Sequence, residues 1–163
     1  MAYSLRYYYE NTLKDGKVVR LEIHEKDGKK SAIPIGEVVQ KLSLHIQGAE
    51  DDIVAPIATT SLTMTFVDAP DLPEAATQKC GDWVEFYTPD STYWKVIVLA
   101  KDVGSSSFRA IWGGFVFRFD HAGHCWVYDA AALELTLLAF DPISLLAKNH
   151  CRGAYRGTPA QIT

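Results

Sequence analysis

Cysteine is scarce in this chain: Cys80, Cys125 and Cys151 are the only three in 163 residues. An odd number at wide spacing argues against a disulfide framework, and free, partly buried thiols are the expectation. Clustered basic charge is equally scarce. The longest basic run is Lys29-Lys30 and the formal net charge is −4, which makes general nucleic-acid binding through phosphates a poor fit. No apolar run has the length needed to span a bilayer. Met1-Ala2-Tyr3-Ser4 lacks the charged start and apolar stretch of a signal peptide. We therefore expect a protein made and kept in the cytoplasm, unless lysis releases it or a particle packages it. Gly/Ser-rich linkers, internal repeats and low-complexity tracts are missing as well. So are nucleophile elbows, glycine-rich phosphate loops and helices bearing paired metal ligands.

What the chain does contain favours a folded β protein. Apolar residues make up 48% of it, enough for a real core, and aromatics 12%, with Tyr and Phe leading. Strands are predicted at Tyr3 to Glu10 and at Val18 to His24, joined by an Asp15-Gly16 hairpin turn. In the second strand Val19, Leu21 and Ile23 alternate with Arg20, Glu22 and His24, the period of a half-buried strand. Asp27-Gly28 marks another turn. Ile33 to Gly36 reads as a short edge segment, because Pro34 cannot donate to a ladder. Further strands are predicted at Leu42 to Ile46, Ser61 to Val67, Asp82 to Thr88, Tyr93 to Ala100, Phe108 to Phe119 and Leu133 to Phe140. The pair at 82–88 and 93–100 reads as a hairpin. Gly113-Gly114, inside the longest strand, predicts a bulge or sharp bend. Asp141 followed by Pro142 predicts the N-terminus of a short helix over Ile143 to Asn149.

About nine short strands with regular turns predict a mainly β fold, an antiparallel β-barrel or sandwich with one short C-terminal helix. We read residues 1–150 as a single domain, organised in halves of about 1–68 and 80–150, and 151–163 as a tail.

Few residues suggest chemistry. His121, His124 and Cys125, with Asp120 beside them, carry zinc-ligand types, but their spacing matches no established zinc motif. His150 and Cys151 would have to complete such a site in space. Glu50, Asp51 and Asp52 form an acidic loop, and paired carboxylates do acid–base work only when burial separates their pKa values. Ser61 and Ser105 to Ser107 have no adjacent base. His24 and His45 sit on polar strand faces. Trp83, Trp94, Trp112 and Trp126 could form a ligand platform, though core packing is the commoner use. On this reading the chain has no catalytic, cofactor-binding or metal residues to assign and is not an enzyme. A ligand-binding β-barrel is the alternative, and a zinc-dependent enzyme built on the His121/His124/Cys125 loop is the weaker one.

Five stretches bear a more specific pattern. Tyr3-Ser4-Leu5-Arg6-Tyr7-Tyr8-Tyr9-Glu10 is followed by Asp15-Gly16-Lys17-Val18-Val19-Arg20-Leu21-Glu22-Ile23. Then come Ile53-Val54-Ala55-Pro56-Ile57-Ala58-Thr59-Thr60-Ser61-Leu62 and Trp112-Gly113-Gly114-Phe115-Val116. Last stands Leu135-Thr136-Leu137-Leu138-Ala139-Phe140-Asp141-Pro142-Ile143-Ser144-Leu145-Leu146. In this order they resemble the N-terminal region of tail-tip or baseplate hub proteins from phages and prophages of Bacteroidetes-type bacteria. The shared elements are an aromatic first strand, a Pro-Ile…Ser segment, a Trp-x-Gly-x-Val strand, and a last strand ending Ala-x-Asp before a Leu-rich helix. The resemblance covers Tyr3 to about Asn149, and hub proteins of this kind are usually much longer than this chain. It implies a β-barrel of the tail-tube kind, a homo-oligomeric ring around a channel, and a structural role linking the tail tube to the tip or baseplate. The implied partners are other copies of the chain, the tail tube and other tail-tip proteins, with DNA passing without specific binding. The implied location is the virion tail, assembled in the host bacterial cytoplasm. An acidic lumen face, with Glu50, Asp51 and Asp52 as candidates, would repel passing DNA.

Overall fold

The structure is a computed structural model, and it describes residues 2–36, 39–47, 59–67, 86, 92–116, 126–129 and 134–143. Nine strands form one sheet among these residues: β1 (Tyr3–Thr12), β2 (Val18–Lys26), β3 (Ile33–Pro34), β4 (Val39–Gln47), β5 (Thr59–Val67), β6 (Trp94–Lys101), β7 (Arg109–Val116), β8 (Trp126–Asp129) and β9 (Glu134–Phe140). Their spatial order is β3-β1-β2-β6-β7-β9-β5-β4, with β8 beside β9. The chain is mainly β, as expected.

Local chemistry explains the hairpins. Between β1 and β2 the turn places Gly16 at φ 82°, in the left-handed region where glycine carries no Cβ penalty. The Asp15 carboxylate accepts from the Lys17 N–H at 3.1 Å, and this bond holds its pKa below the usual value. The β6–β7 hairpin turns at Gly104, φ 79°. At the second Asp-Gly pair the left-handed residue is Asp27 (φ 52°), not the glycine, and no hairpin follows. The chain crosses instead to the far side of β1, where β3 pairs in parallel with Tyr7 and Tyr8. The sheet is therefore mixed rather than wholly antiparallel.

Alternation along each strand builds the core. Leu21 and Ile23 of β2, Trp94 and Val96 of β6, Met64 and Phe66 of β5, and Leu135, Leu137 and Ala139 of β9 are fully buried in one cluster. Tyr7, Phe86 and Trp94 pack as an aromatic group with ring centroids 4.8 to 6.2 Å apart. The strand predicted over 82–88 is described only at Phe86, whose backbone lies in a 3₁₀ turn. The ring is delivered to the core from a turn, and β6 pairs with β2 and β7 rather than with a strand there.

The sheet is rolled but not closed. Its two ends, β3 and β4, are joined by residues 35–38 alone, a link of at most about 18 Å. Eight strands laid flat would hold those ends about 34 Å apart, so the sheet curls around its core. The expected antiparallel barrel or sandwich is corrected on two counts: the sheet is mixed, and it is not closed into a barrel, since no ladder joins β3 to β4 among the described residues. The reason lies in β3, which is two residues long and includes Pro34, a residue with no N–H to donate.

Between β7 and β9 lies a short seam: among the described residues Phe115 and Val116 pair there, with Phe140 and Ala139. A polar clasp backs up this seam. The buried Asp141 carboxylate accepts from both the N–H and the hydroxyl of Thr60, and the Thr60 oxygen accepts from Trp112 Nε1 at 2.8 Å. Asp141 also directs the chain into a helical start at Pro142–Ile143, while the rest of the expected helix lies outside the described residues. The two glycines play unequal parts. A Cβ on Gly114 would stand 2.4 Å from the Phe140 carbonyl oxygen and 2.5 Å from the Trp112 ring, whereas one on Gly113 would meet nothing nearer than 3.8 Å. The register shift on this hairpin falls between Val98 and Leu99, opposite Trp112 and Ala110, and not at the glycines.

Gly114→Ala is therefore expected to destabilise the fold by about 1–3 kcal/mol, because neither the carbonyl nor the indole can retreat without opening the seam. Gly113→Ala should be neutral or stabilising by about 0.5–1 kcal/mol. Urea unfolding midpoints of the two variants check the opposite signs.

Candidate functional site

Several of the residues singled out above are tied into the framework. Trp94 is fully buried and Trp112 nearly so, its indole N–H given to Thr60. His24 is half-buried beside Glu22, with Nε2 2.9 Å from the carboxylate. Arg20 bridges Glu22 at 2.9 Å and Glu10 at 3.2 Å, its guanidinium 4.9 Å from the centre of the Tyr8 ring. Ser61 is half-buried on β5, and Ser105 to Ser107 hydrogen-bond among themselves on an exposed turn.

The buried carboxylates among the described residues are Glu25 and Asp141. Glu25 Oε1 accepts from the Tyr93 hydroxyl at 2.8 Å, and Asp141 holds the seam. With different partners at different joins, they do not form the kind of coupled pair that acid–base catalysis uses. Among the described residues no three His, Cys, Asp or Glu side chains come together to hold a metal ion. His121, His124, Cys125, Asp120, His150, Cys151, Cys80, Trp83, Glu50, Asp51 and Asp52 lie outside the described residues, and Trp126 is described only as part of a strand backbone. One geometric fact bears on the 117–125 segment. β5 occupies one side of β9, so β7 and β8 share the other. On that side Val116 stands opposite Ala139 and Trp126 opposite Leu137.

Among the described residues, one feature that packing within the chain does not account for is the edge of β4. Among the described residues β4 pairs only with β5. Leu42, Leu44 and Ile46 stand opposite Met64, Leu62 and Thr60, on the core side of the sheet. Leu42 packs against the core, but Leu44 is 48% exposed and Ile46 71%. The apolar row thus runs out past the rim of the roll. Edge strands are normally blunted by charge, proline, a bulge or short length. β4 has a register shift between Val39 and Lys41, and Lys41 itself, at its start. From Leu42 to Ile46 it has none of these. The other end of the sheet, β3, has both proline and short length.

This edge was only half legible in the sequence. The alternation of Leu42, Leu44 and Ile46 with Ser43, His45 and Gln47 predicts a half-buried strand, and periodicity cannot tell which member of a row lies beyond the rim. Compared with protein-family models, curated proteins and solved structures, the chain matches none.

If the outer row is not held for internal packing, its substitution should spare stability. Ile46→Thr is expected to change unfolding free energy by no more than about 0.5 kcal/mol. Met64→Ala, in the same sheet but fully buried, should cost about 2–5 kcal/mol. Denaturant titrations of both variants measure the contrast.

Proposed function

We propose that this chain is a structural component of a phage tail or tail-like injection machine, forming a ring that links the tail tube to the tail tip or baseplate. The observation that carries the assembly part of this reading is the unblunted apolar edge of β4. Such an edge offers backbone N–H and C=O groups and an apolar row to a neighbouring chain, the physical basis of strand addition between subunits. The tail-specific part rests on the resemblance of the stretches from Tyr3 to Leu146 to tail-tip and baseplate hub proteins. A rolled, mainly β sheet is compatible with the tail-tube kind of barrel if neighbouring copies complete what β3 leaves open.

The partners on this reading are copies of the chain, the tail tube and other tip proteins, with DNA passing unbound by sequence, and the location is the virion tail. The alternative of a ligand-binding barrel gains nothing from Trp94 and Trp112, which are engaged in the core. The zinc-enzyme alternative rests on His121, His124 and Cys125 alone.

Light scattering of the purified chain across a concentration series tests the assembly reading. A concentration-dependent rise to a discrete multiple of the chain mass is expected. A single-chain mass at every concentration, with no mass added by tail-tube protein, would count against it.

A further inference from the structure

We infer that β4 is a self-pairing edge: two copies of the chain join antiparallel through β4, centred on Leu44, so that their sheets run on as one. The inference rests on the assembly reading above and names the contact. Three observations lead to it.

The first is the asymmetry of the sheet's two ends. β3 is two residues long and Pro34 lacks an N–H, so the β3 end offers a neighbour's β4 almost no ladder. β4, at nine residues, matches another β4 in length. The second is the palindromic spacing of the apolar row. With Leu44 opposite Leu44 of the second copy, Leu42 falls opposite Ile46 and Ile46 opposite Leu42. All six apolar residues then lie on one face, because a two-fold axis perpendicular to the sheet keeps the core side on the core side. Leu44 and Ile46, exposed in the single chain, are covered in the pair.

The third is charge. In this register Lys41, the one Lys, Arg, Asp or Glu on β4, meets Gln47, and Ser43 meets His45. Pairing centred one residue earlier would set Lys41 against His45 and strand Ile46 opposite Gln40, at the register shift. The Leu44-centred register keeps all three apolar residues of each copy opposite apolar residues and matches both rows.

A two-fold contact also constrains the assembly. A ring built from such pairs holds an even number of chains, whereas a ring of single chains closed by head-to-tail contacts carries no such restriction.

Cysteine cross-linking tests the pairing. Residues directly opposite across a strand pair have Cβ atoms about 4.5–5.5 Å apart, close to disulfide reach. Under mild oxidation, Leu44→Cys should give a covalent dimer several-fold more than Ile46→Cys, whose counterpart faces Leu42. The unsubstituted chain, with its three native cysteines, sets the background. Ile46→Lys, on an exposed position, should lower the assembly's mass in light scattering with an unchanged melting curve. Equal cross-linking of the two cysteine variants, or an assembly whose mass Ile46→Lys leaves unchanged, would overturn the β4 pairing while leaving the assembly reading in place. A single-chain mass for the unsubstituted protein at every concentration, alone and with tail-tube protein, would overturn both.

Discussion

Among the described residues, the join between β7 and β9 rests on two residue pairs, and it links the two groups of strands in the sheet. On one side stand β3, β1, β2, β6 and β7; on the other β9, β5, β4 and β8. Among the described residues two residue pairs connect them, which by hydrogen bonding alone is a weak splice. The backbones approach closely where Gly114 has no side chain, and Asp141, Thr60 and Trp112 tie β9, β5 and β7 together with hydrogen bonds. Buried polar groups of this kind are costly if left unmade, so the clasp forms as a unit or not at all. Residues of β5 and β9 and the aromatic group of Tyr7, Phe86 and Trp94 belong to one core cluster, so a single core serves both sides of the join.

Among the described residues the β3 and β4 ends of the sheet have no equivalent fastening, and they are linked through the short connection that follows Pro34. The covalent link fixes how far apart the ends can drift but supplies no ladder. The consequence is a rim at which an apolar row begins inside the core at Leu42 and ends in solvent at Ile46. Leaving such a row exposed is unfavourable for a chain on its own, and proteins commonly remove it by charge or proline. Its retention in the half of β4 beyond Lys41 is the feature on which the proposed assembly role rests.

Most of the element pattern was legible in the sequence. Seven of the strand predictions correspond to β1, β2, β4, β5, β6, β7 and β9, because each has a period-2 apolar row bounded by turn residues. The Asp15-Gly16 hairpin and the edge character of Pro34 followed from backbone chemistry alone. The misreadings share one cause. Phe86 reads as a strand residue because aromatics favour strands, yet its ring reaches the core from a 3₁₀ turn. Gly113-Gly114 reads as a bulge, yet only Gly114 is required, and for an approach by β9 that lies 26 residues further along the chain. A hairpin was expected between residues 82 and 100, and β6 instead found β2, some seventy residues away. In each case a partner distant in sequence outweighed local propensity.

The sequence by itself determined that this is a β protein, where its turns lie, which face of each strand is apolar, and that one end of the sheet is blocked by proline. These are properties of neighbouring residues: steric limits on φ, the missing N–H of proline, and the alternation of side chains along a strand. Only the tertiary structure decided the order of the strands, the seam at Gly114, the burial of Trp94 and Trp112, and the emergence of Leu44 and Ile46 at an open rim. Those depend on which strands meet and where the roll stops, and burial is a property of that arrangement rather than of any row of residues within it.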